Sequence, residues 1–341
     1  EFKWTPESAA IVQSKDGRYL FPEPEDRSTF ASISIQKHDA DTGGAAPNGA
    51  NFAGCEFTVY NRSANPVKIG SFPTAAPGEA CYVLTLDAAG RAATGAEFPL
   101  GKYEIRETKG NSYYQCNTGW SQTFEVTMGG NTAFTFSVAN TPVKGHIQLQ
   151  KINSETGAGL TGAVFQVTHP DGKTSYMSEQ TGGIHRIENL RYGSYKVQEV
   201  KAPEGYLLDP TVYTVNITEN GKTYVVQTAG FNGIANEPIR GHFRVTKVET
   251  GTTTPLQGAE YTVKAPDGSL IGVYTTDASG SFEVRDLLYG KGYTYQETKA
   301  PAGYLVDPTV YKFDITEDDR TYTYTREDAP QPGFIAIKKF D

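Results

Sequence analysis

Apolar and polar residues alternate along most of the chain, and the alternation restarts in the same way four times. Ile33 opens I-S-I-Q-K, Ile147 opens I-Q-L-Q-K, Phe243 opens F-R-V-T-K and Ile335 opens I-A-I-K-K. Strand side chains at i, i+2 and i+4 share a face, so Lys37, Lys151, Lys247 and Lys339 point the same way as the apolar residues before them. Other period-two stretches, rich in Val, Thr, Tyr and Phe and broken by Gly, Pro, Asn and Asp, fill the rest of the chain. Few segments show a helical period. The pattern predicts an all-β protein.

The repeats set the domain plan. V-A-N-T-P-V-K-G, I-A-N-E-P-I-R-G and R-E-D-A-P-Q-P-G end at Gly145, Gly241 and Gly333, so one linker pattern follows each module. The lysines recur at a spacing of roughly 100 residues, which suits one β-sandwich per repeat. The expected modules are 29–142, 143–238 and 239–332, forming an elongated array. Residues 333–341 read as the first strand of a truncated fourth domain, and 1–28 as a linker or the tail of a preceding domain. Module one is the longest, and S-A-N-P-V-K-I-G-S-F-P-T-A-A-P-G-E-A-C-Y-V from Ser63 reads as an inserted loop. The chain opens on Glu1 without an initiator methionine and closes inside a repeat, so it reads as part of a longer protein.

Parity singles out two further polar positions in each module. Glu107 follows Tyr103 and Ile105, Glu199 follows Tyr195 and Val197, and Glu297 follows Tyr293 and Tyr295. Asn140 follows Phe136 and Val138, Asn236 follows Ile234, and Asp328 holds the matching place in module three. Taken singly, each has an ordinary reading as a solvated lysine, a surface glutamate or a turn asparagine. The conjunction is different, because burying an ammonium and a carboxylate costs several kcal/mol per ion even after relaxation. Charges repeated in every core are expected to be neutralised or consumed.

A dry site lowers a lysine pKa and raises a glutamate pKa, which sets a neutral amine beside a protonated acid. The lysine Nζ can then attack the side-chain carbonyl carbon of asparagine. In this reading the glutamic acid polarises the carbonyl oxygen and passes protons to the leaving ammonia. With Asp328 the same reaction releases water. The competing outcome is an unreacted Lys247–Asp328 ion pair, with nearby Arg326 keeping the carboxylate charged. Arg326 also sits at inward parity, which puts the register of that strand in question.

Y-T-Y-Q-E-T-K-A-P-A-G-Y from Tyr293 and Y-K-V-Q-E-V-K-A-P-E-G-Y from Tyr195 resemble the E-box of the Cna-B-type, or SpaA-like, domains of Gram-positive surface adhesins and sortase-assembled pilins. Module one, Y-E-I-R-E-T-K-G-N-S-Y-Y from Tyr103, keeps Tyr103, Glu107 and Thr108 but lacks the A-P-x-G turn. The resemblance implies tandem Ig-like, prealbumin-like β-sandwiches. It implies isopeptide cross-links pairing Lys37 with Asn140, Lys151 with Asn236 and Lys247 with Asp328, promoted by Glu107, Glu199 and Glu297. It further implies an extracellular, cell-wall-anchored protein whose anchor and signal peptide lie outside this chain, with sortase and neighbouring surface or pilin subunits as partners. Neither an L-P-x-T-G sorting signal nor a V-Y-P-K pilin motif is present, so backbone pilin, minor pilin and adhesin stalk all stay open.

Composition narrows the alternatives. With 341 residues and 38% hydrophobic content, the chain can build several modest cores. A net charge of -8 argues against nucleic acid and anionic membrane surfaces, and no apolar run is long enough for a membrane span, so no direct membrane contact is expected of this segment. The five histidines form no metal-ligand spacing, and neither a nucleophile elbow nor a phosphate loop is present. No metal, cofactor or enzymatic turnover on an outside substrate is expected. Among the three cysteines, Cys55 is expected as a buried thiol, and Cys81 and Cys116 are the candidates for one bridge. A thioester adhesin would need a reactive cysteine such as Cys116, although burial or bridging is the commoner state. The alternative function is a ligand-binding adhesin for host matrix or glycan, using the inserted loops of module one with Tyr113, Tyr114 and Trp120 as aromatic contacts.

Overall fold

The computed structural model describes residues 29–47, 49–333, 335 and 337–339, and the backbone of 12, 13, 19 and 20. Val12–Gln13 pairs antiparallel with Tyr19–Leu20; the rest of the segment expected as a linker or tail lies outside the described residues. Among the described residues, the regular structure is strand throughout, apart from one helical turn at Thr181–Gly183. The chain divides into two compact units, Glu1–Val143 and Lys144–Asp341.

The first unit holds module one. A sheet ordered Arg91–Ala93, Ser32–Asp39, Ala133–Asn140 packs on a sheet ordered Ala80–Thr85, Glu56–Asn61, Gly101–Lys109, Ser121–Val126. Every second residue of Ser32–Asp39 is buried. The apolar parity of S-I-S-I-Q-K-H-D therefore faces the core, beside Phe57, Val59, Tyr103 and Ile105. The expected inserted loop is not a surface excursion. Val67 and Ala75 pair across it as a β-bridge, and Val67, Ile69 and Ala75 join the core. Its apolar residues have a sheet edge to pack on, which a sequence pattern broken by three prolines conceals.

The second unit holds two sandwiches with separate cores, one around Ile147, Leu149, Phe165 and Val197 and the other around Phe243, Val245, Tyr261 and Tyr295. In the first, Gly193–Lys201 lies between Val164–Thr168 and Val212–Ile217; in the second, Gly290–Lys299 lies between Glu260–Lys264 and Val310–Ile315. These central strands carry the two complete E-boxes.

The opening strand of each module runs parallel to its closing strand, in one constant register. Lys37 lies opposite Val138 and Asp39 opposite Asn140. Lys151 lies opposite Ile234 and Asn153 opposite Asn236. Lys247 lies opposite Arg326 and Glu249 opposite Asp328, so Arg326 leaves the register intact. Its guanidinium stacks 3.8 Å from the Tyr311 ring centre and bonds the Tyr295 hydroxyl. Aromatic faces thus carry the charge at a position where Val138 and Ile234 are buried. Parallel pairing also means that the chain enters a module at one end and leaves at the other.

Ile335 and Ile337 are 92% and 90% exposed, and Lys339 is exposed with them. Among the described residues of that segment there is no sheet for the apolar parity to bury against. The Cys81–Cys116 bridge does not form, since all three cysteines are free. Cys81 Sγ donates to Val59 O at 3.3 Å inside the sheet, and Cys116 Sγ donates to Glu107 O at 3.8 Å in a loop. Cys55 is buried, as its parity indicates.

Candidate functional site

Each module brings its lysine, its E-box glutamate and its closing-strand acceptor into one dry cluster. Lys37, Lys151 and Lys247 are 0% exposed, and the six partners are buried with them. The placement follows from register. Glu107, Glu199 and Glu297 stand directly opposite Phe57, Phe165 and Tyr261 across their sheets, and those rings lie 5.6, 5.9 and 5.8 Å from the lysine Nζ. A ring below and a carboxylate beside leave the ammonium one open direction, toward the closing strand.

In module one, Glu107 Oε1 accepts from Lys37 Nζ at 2.6 Å and from Asn140 Nδ2 at 2.7 Å. Asn140 Nδ2 also donates to Gln115 O at 2.6 Å. Glu107 Oε2 and Asn140 Oδ1 have no hydrogen-bond partner. Cys55 borders the cluster; burial pushes its thiol up, while Lys37 pulls it down.

In module two, Lys151 Nζ donates to Asn236 Oδ1 and lies 3.4 Å from Glu199 Oε1. Asn236 Nδ2 donates to both Glu199 oxygens at 3.0 Å, and the Asp209 backbone N–H donates to Oε2 at 2.8 Å. Burial holds the Lys151 ammonium below the usual lysine range, with Glu199 only partly offsetting it. A lowered amine touching an amide carbonyl is the ground state of a nucleophilic addition.

In module three, Lys247 Nζ contacts Asp328 Oδ1 and lies 3.2 Å from Glu297 Oε2. The Asp307 N–H donates to Glu297 Oε2 at 2.7 Å. Burial, with Asp328 adding to it, raises the Glu297 carboxyl above the usual range against the pull of Asp307 N–H and Lys247.

In modules one and two the carboxylate sits on the amide nitrogen of the acceptor, the group that would depart, rather than on the carbonyl oxygen. Sequence reasoning also missed three supports. Asp209 and Asp307 cap their glutamates through backbone N–H groups and are themselves held by Tyr213 at 2.8 Å and Tyr311 at 2.7 Å; the repeated D-P-T-V-Y was the available signal. Gly90 and Gly280, with φ of 80° and 70°, turn against the buried lysines, where a Cβ would lie 2.7 Å from Lys37 O and 2.6 Å from Lys247 O. Their signal was the shared D-A-x-G of 87–90 and 277–280. Tyr114, expected at a ligand surface, is buried; its hydroxyl donates to Asp39 Oδ2 at 2.7 Å and its ring stacks on Phe52 at 4.4 Å.

The model of the SpaA prealbumin-like fold domain matches the chain three times, over residues 31–141, 145–230 and 241–330. The chain belongs to this family. Its SpaA-type domains also resemble stretches of two Staphylococcus aureus proteins. Serine-aspartate repeat-containing protein E is 28% identical over 176 residues, covering 47% of this chain and 15% of that protein. Bone sialoprotein-binding protein is 26% identical over 166 residues, covering 44% of this chain and 14% of that protein. The chain thus matches only a small part of these relatives. Among solved structures, the Bacillus anthracis TIE protein shares the fold, with a TM-score of 0.66 at 23% identity over 88% of this chain and 51% of that one.

Proposed function

We propose that the chain is a tension-bearing structural segment of a Gram-positive surface adhesin or sortase-assembled pilus, made of domains at 29–142, 143–238 and 239–332. Each domain closes one intramolecular isopeptide bond: Lys37 to Asn140, Lys151 to Asn236, and Lys247 to Asp328. Glu107, Glu199 and Glu297 move the protons. The observation that carries this reading is the recurrence, in all three domains, of a buried lysine, a buried glutamate and a buried acceptor where the opening and closing strands run side by side.

The chemistry uses only groups of the chain. The glutamate takes a proton from the lysine ammonium, and the neutral amine adds to Cγ of the asparagine. The protonated glutamate, already against Nδ2, hands its proton to the departing nitrogen and ammonia leaves; the carboxylate then takes the second proton from Nζ, which leaves a neutral amide. In module three the acceptor is the protonated Asp328; Glu297 hands its proton to the departing hydroxyl, and water leaves. Each site reacts once, so no outside substrate is turned over.

Mechanics follows from the parallel strands. Tension entering along the opening strand crosses the bond and leaves along the closing strand, bypassing the residues between. Without the bond, the 85-residue separation of Lys151 and Asn236 would be free to extend by about 3.4 Å per residue. A closed loop of that size also removes unfolded-state entropy worth about 4–5 kcal/mol, if disulfide arithmetic transfers. The segment belongs outside the cell, joined through sortase to neighbouring surface or pilin subunits. A ligand-binding role for module one has less support, because Tyr114, Val67 and Ile69 are buried and Trp120 packs against the core.

Intact mass tests the proposal. The chain is expected to weigh less than its sequence by two ammonias and one water; a mass equal to the sequence value overturns it.

A further inference from the structure

The ring beneath each reactive lysine differs between modules by one hydroxyl. Phe57 and Phe165 accompany asparagine acceptors, whereas Tyr261 accompanies Asp328. All three rings hold the same register position opposite the E-box glutamate. Tyr261 is 1% exposed, and its hydroxyl has no hydrogen-bond partner. A buried, unpaired hydroxyl is costly, and the phenylalanines of modules one and two show that the fold does without it.

The acceptor suggests its use. An asparagine brings two N–H donors into the cluster, whereas an aspartic acid brings at most one O–H. In modules one and two, the Nδ2 group feeds Glu107 and Glu199. Module three instead crowds two carboxyls around one amine; Asp328 Oδ1 meets Lys247 Nζ, while Glu297 Oε1 and Asp328 Oδ2 have no hydrogen-bond partner. The Tyr261 phenol is a buried donor on a ring that stands opposite Glu297 in register and 5.8 Å from Lys247 Nζ, in a cluster with this surplus of acceptors. Burial, and after it the charges of Glu297 and Asp328, push the phenol up, so it keeps its proton.

We propose that Tyr261 is a further catalytic residue of module three, whose hydroxyl donates to the Asp328 side chain as Lys247 Nζ adds to Cγ, replacing the donors that an asparagine carries with it. The inference rests on the Lys247–Asp328 bond proposed above. Starting from the neutral amine and the protonated acid, the Nζ–Cγ bond forms and one Cγ–Oδ bond breaks. The surplus proton on the amine passes to Glu297, Glu297 delivers it to the departing hydroxyl, and water leaves. The phenol stabilises the oxygen that becomes negative during addition and ends the reaction unchanged.

The test follows the three bonds over time in full-length chain made by cell-free synthesis, quenched and digested, with branched and linear peptides quantified. Tyr261→Phe is expected to slow the Lys247–Asp328 bond at least tenfold while the bonds of modules one and two form at their usual rates. Adding Asp328→Asn to Tyr261→Phe is expected to restore fast closure, now with loss of ammonia, because that pair reproduces the Phe-plus-Asn arrangement of module two. In module two, Asn236→Asp is expected to close slowly, and Phe165→Tyr to speed it. A purely structural tyrosine would not distinguish acceptors. Unchanged closure in Tyr261→Phe, or equal slowing with Asp and Asn acceptors, overturns the inference while leaving the cross-link in place. Failure of the unaltered chain to lose water at module three overturns the cross-link there and the inference with it.

Discussion

Modules one and two reach similar clusters through different loops. In module two the E-box turn continues into Leu207, Leu208 and Asp209, and the Asp209 N–H caps Glu199. Module one has G-N-S-Y-Y in place of that turn. Its Glu107 has an oxygen without a partner, and Gln115 O takes the second amide hydrogen of Asn140. What is common to both is the strand register, which places Lys, Glu and Asn together. The register builds the cluster, and the loop adjusts how firmly the carboxylate is held.

The largest test of this comparison removes the lysine. Lys151→Ala deletes a cross-link worth about 4–5 kcal/mol and leaves a buried carboxylate without its cation, a further cost of about 3–5 kcal/mol. Calorimetry should show the module-two transition falling by tens of degrees. The same change at Lys37 is expected to cost more, because Glu107 then keeps only Asn140 and has no loop N–H.

Where the modules agree, they should respond alike. Gly280→Ala and Gly90→Ala force a Cβ against the lysine carbonyl at positive φ, so each should lose about 2 kcal/mol or more by chemical denaturation and slow the formation of its bond.

Module three has a signed pH response. Burial holds the Glu297 carboxyl above the ordinary glutamate value of about 4.5, so its contribution is fully present below that value and is lost as pH rises through the raised one. In Asp328→Ala, which cannot close the bond, module-three stability should therefore fall as pH rises above about 4.5. Stability that rises over that window contradicts the assignment.

The smallest effect concerns the cap itself. Tyr213→Phe removes the 2.8 Å bond to Asp209, worth about 1 kcal/mol. It should slow closure in module two by a few-fold and leave module one unchanged in the same digest.

Parity alone made the clusters legible in sequence. Lys37, Glu107 and Asn140 are inward because Ile35, Ile105 and Val138 are, and period two admits no other assignment once the strands are placed. Parity was silent wherever a side chain escapes its face. Arg326 shows this, its charge resting on Tyr311 rather than breaking the strand. Loops were equally opaque. The capping N–H groups of Asp209 and Asp307 are backbone atoms that any residue supplies, and the separate positions of Cys81 and Cys116 depend on tertiary contacts that spacing does not encode. The hydroxyl of Tyr261 was visible as a letter, but its isolation became visible only once the neighbouring oxygens were placed.

The central claim is that the three clusters built by strand register close three covalent bonds, and peptide mapping of the unmodified chain tests it most directly. Tandem mass spectrometry of a tryptic digest should find three branched peptides, joining Lys37 to Asn140, Lys151 to Asn236 and Lys247 to Asp328. Recovery of these six residues in separate linear peptides would contradict it.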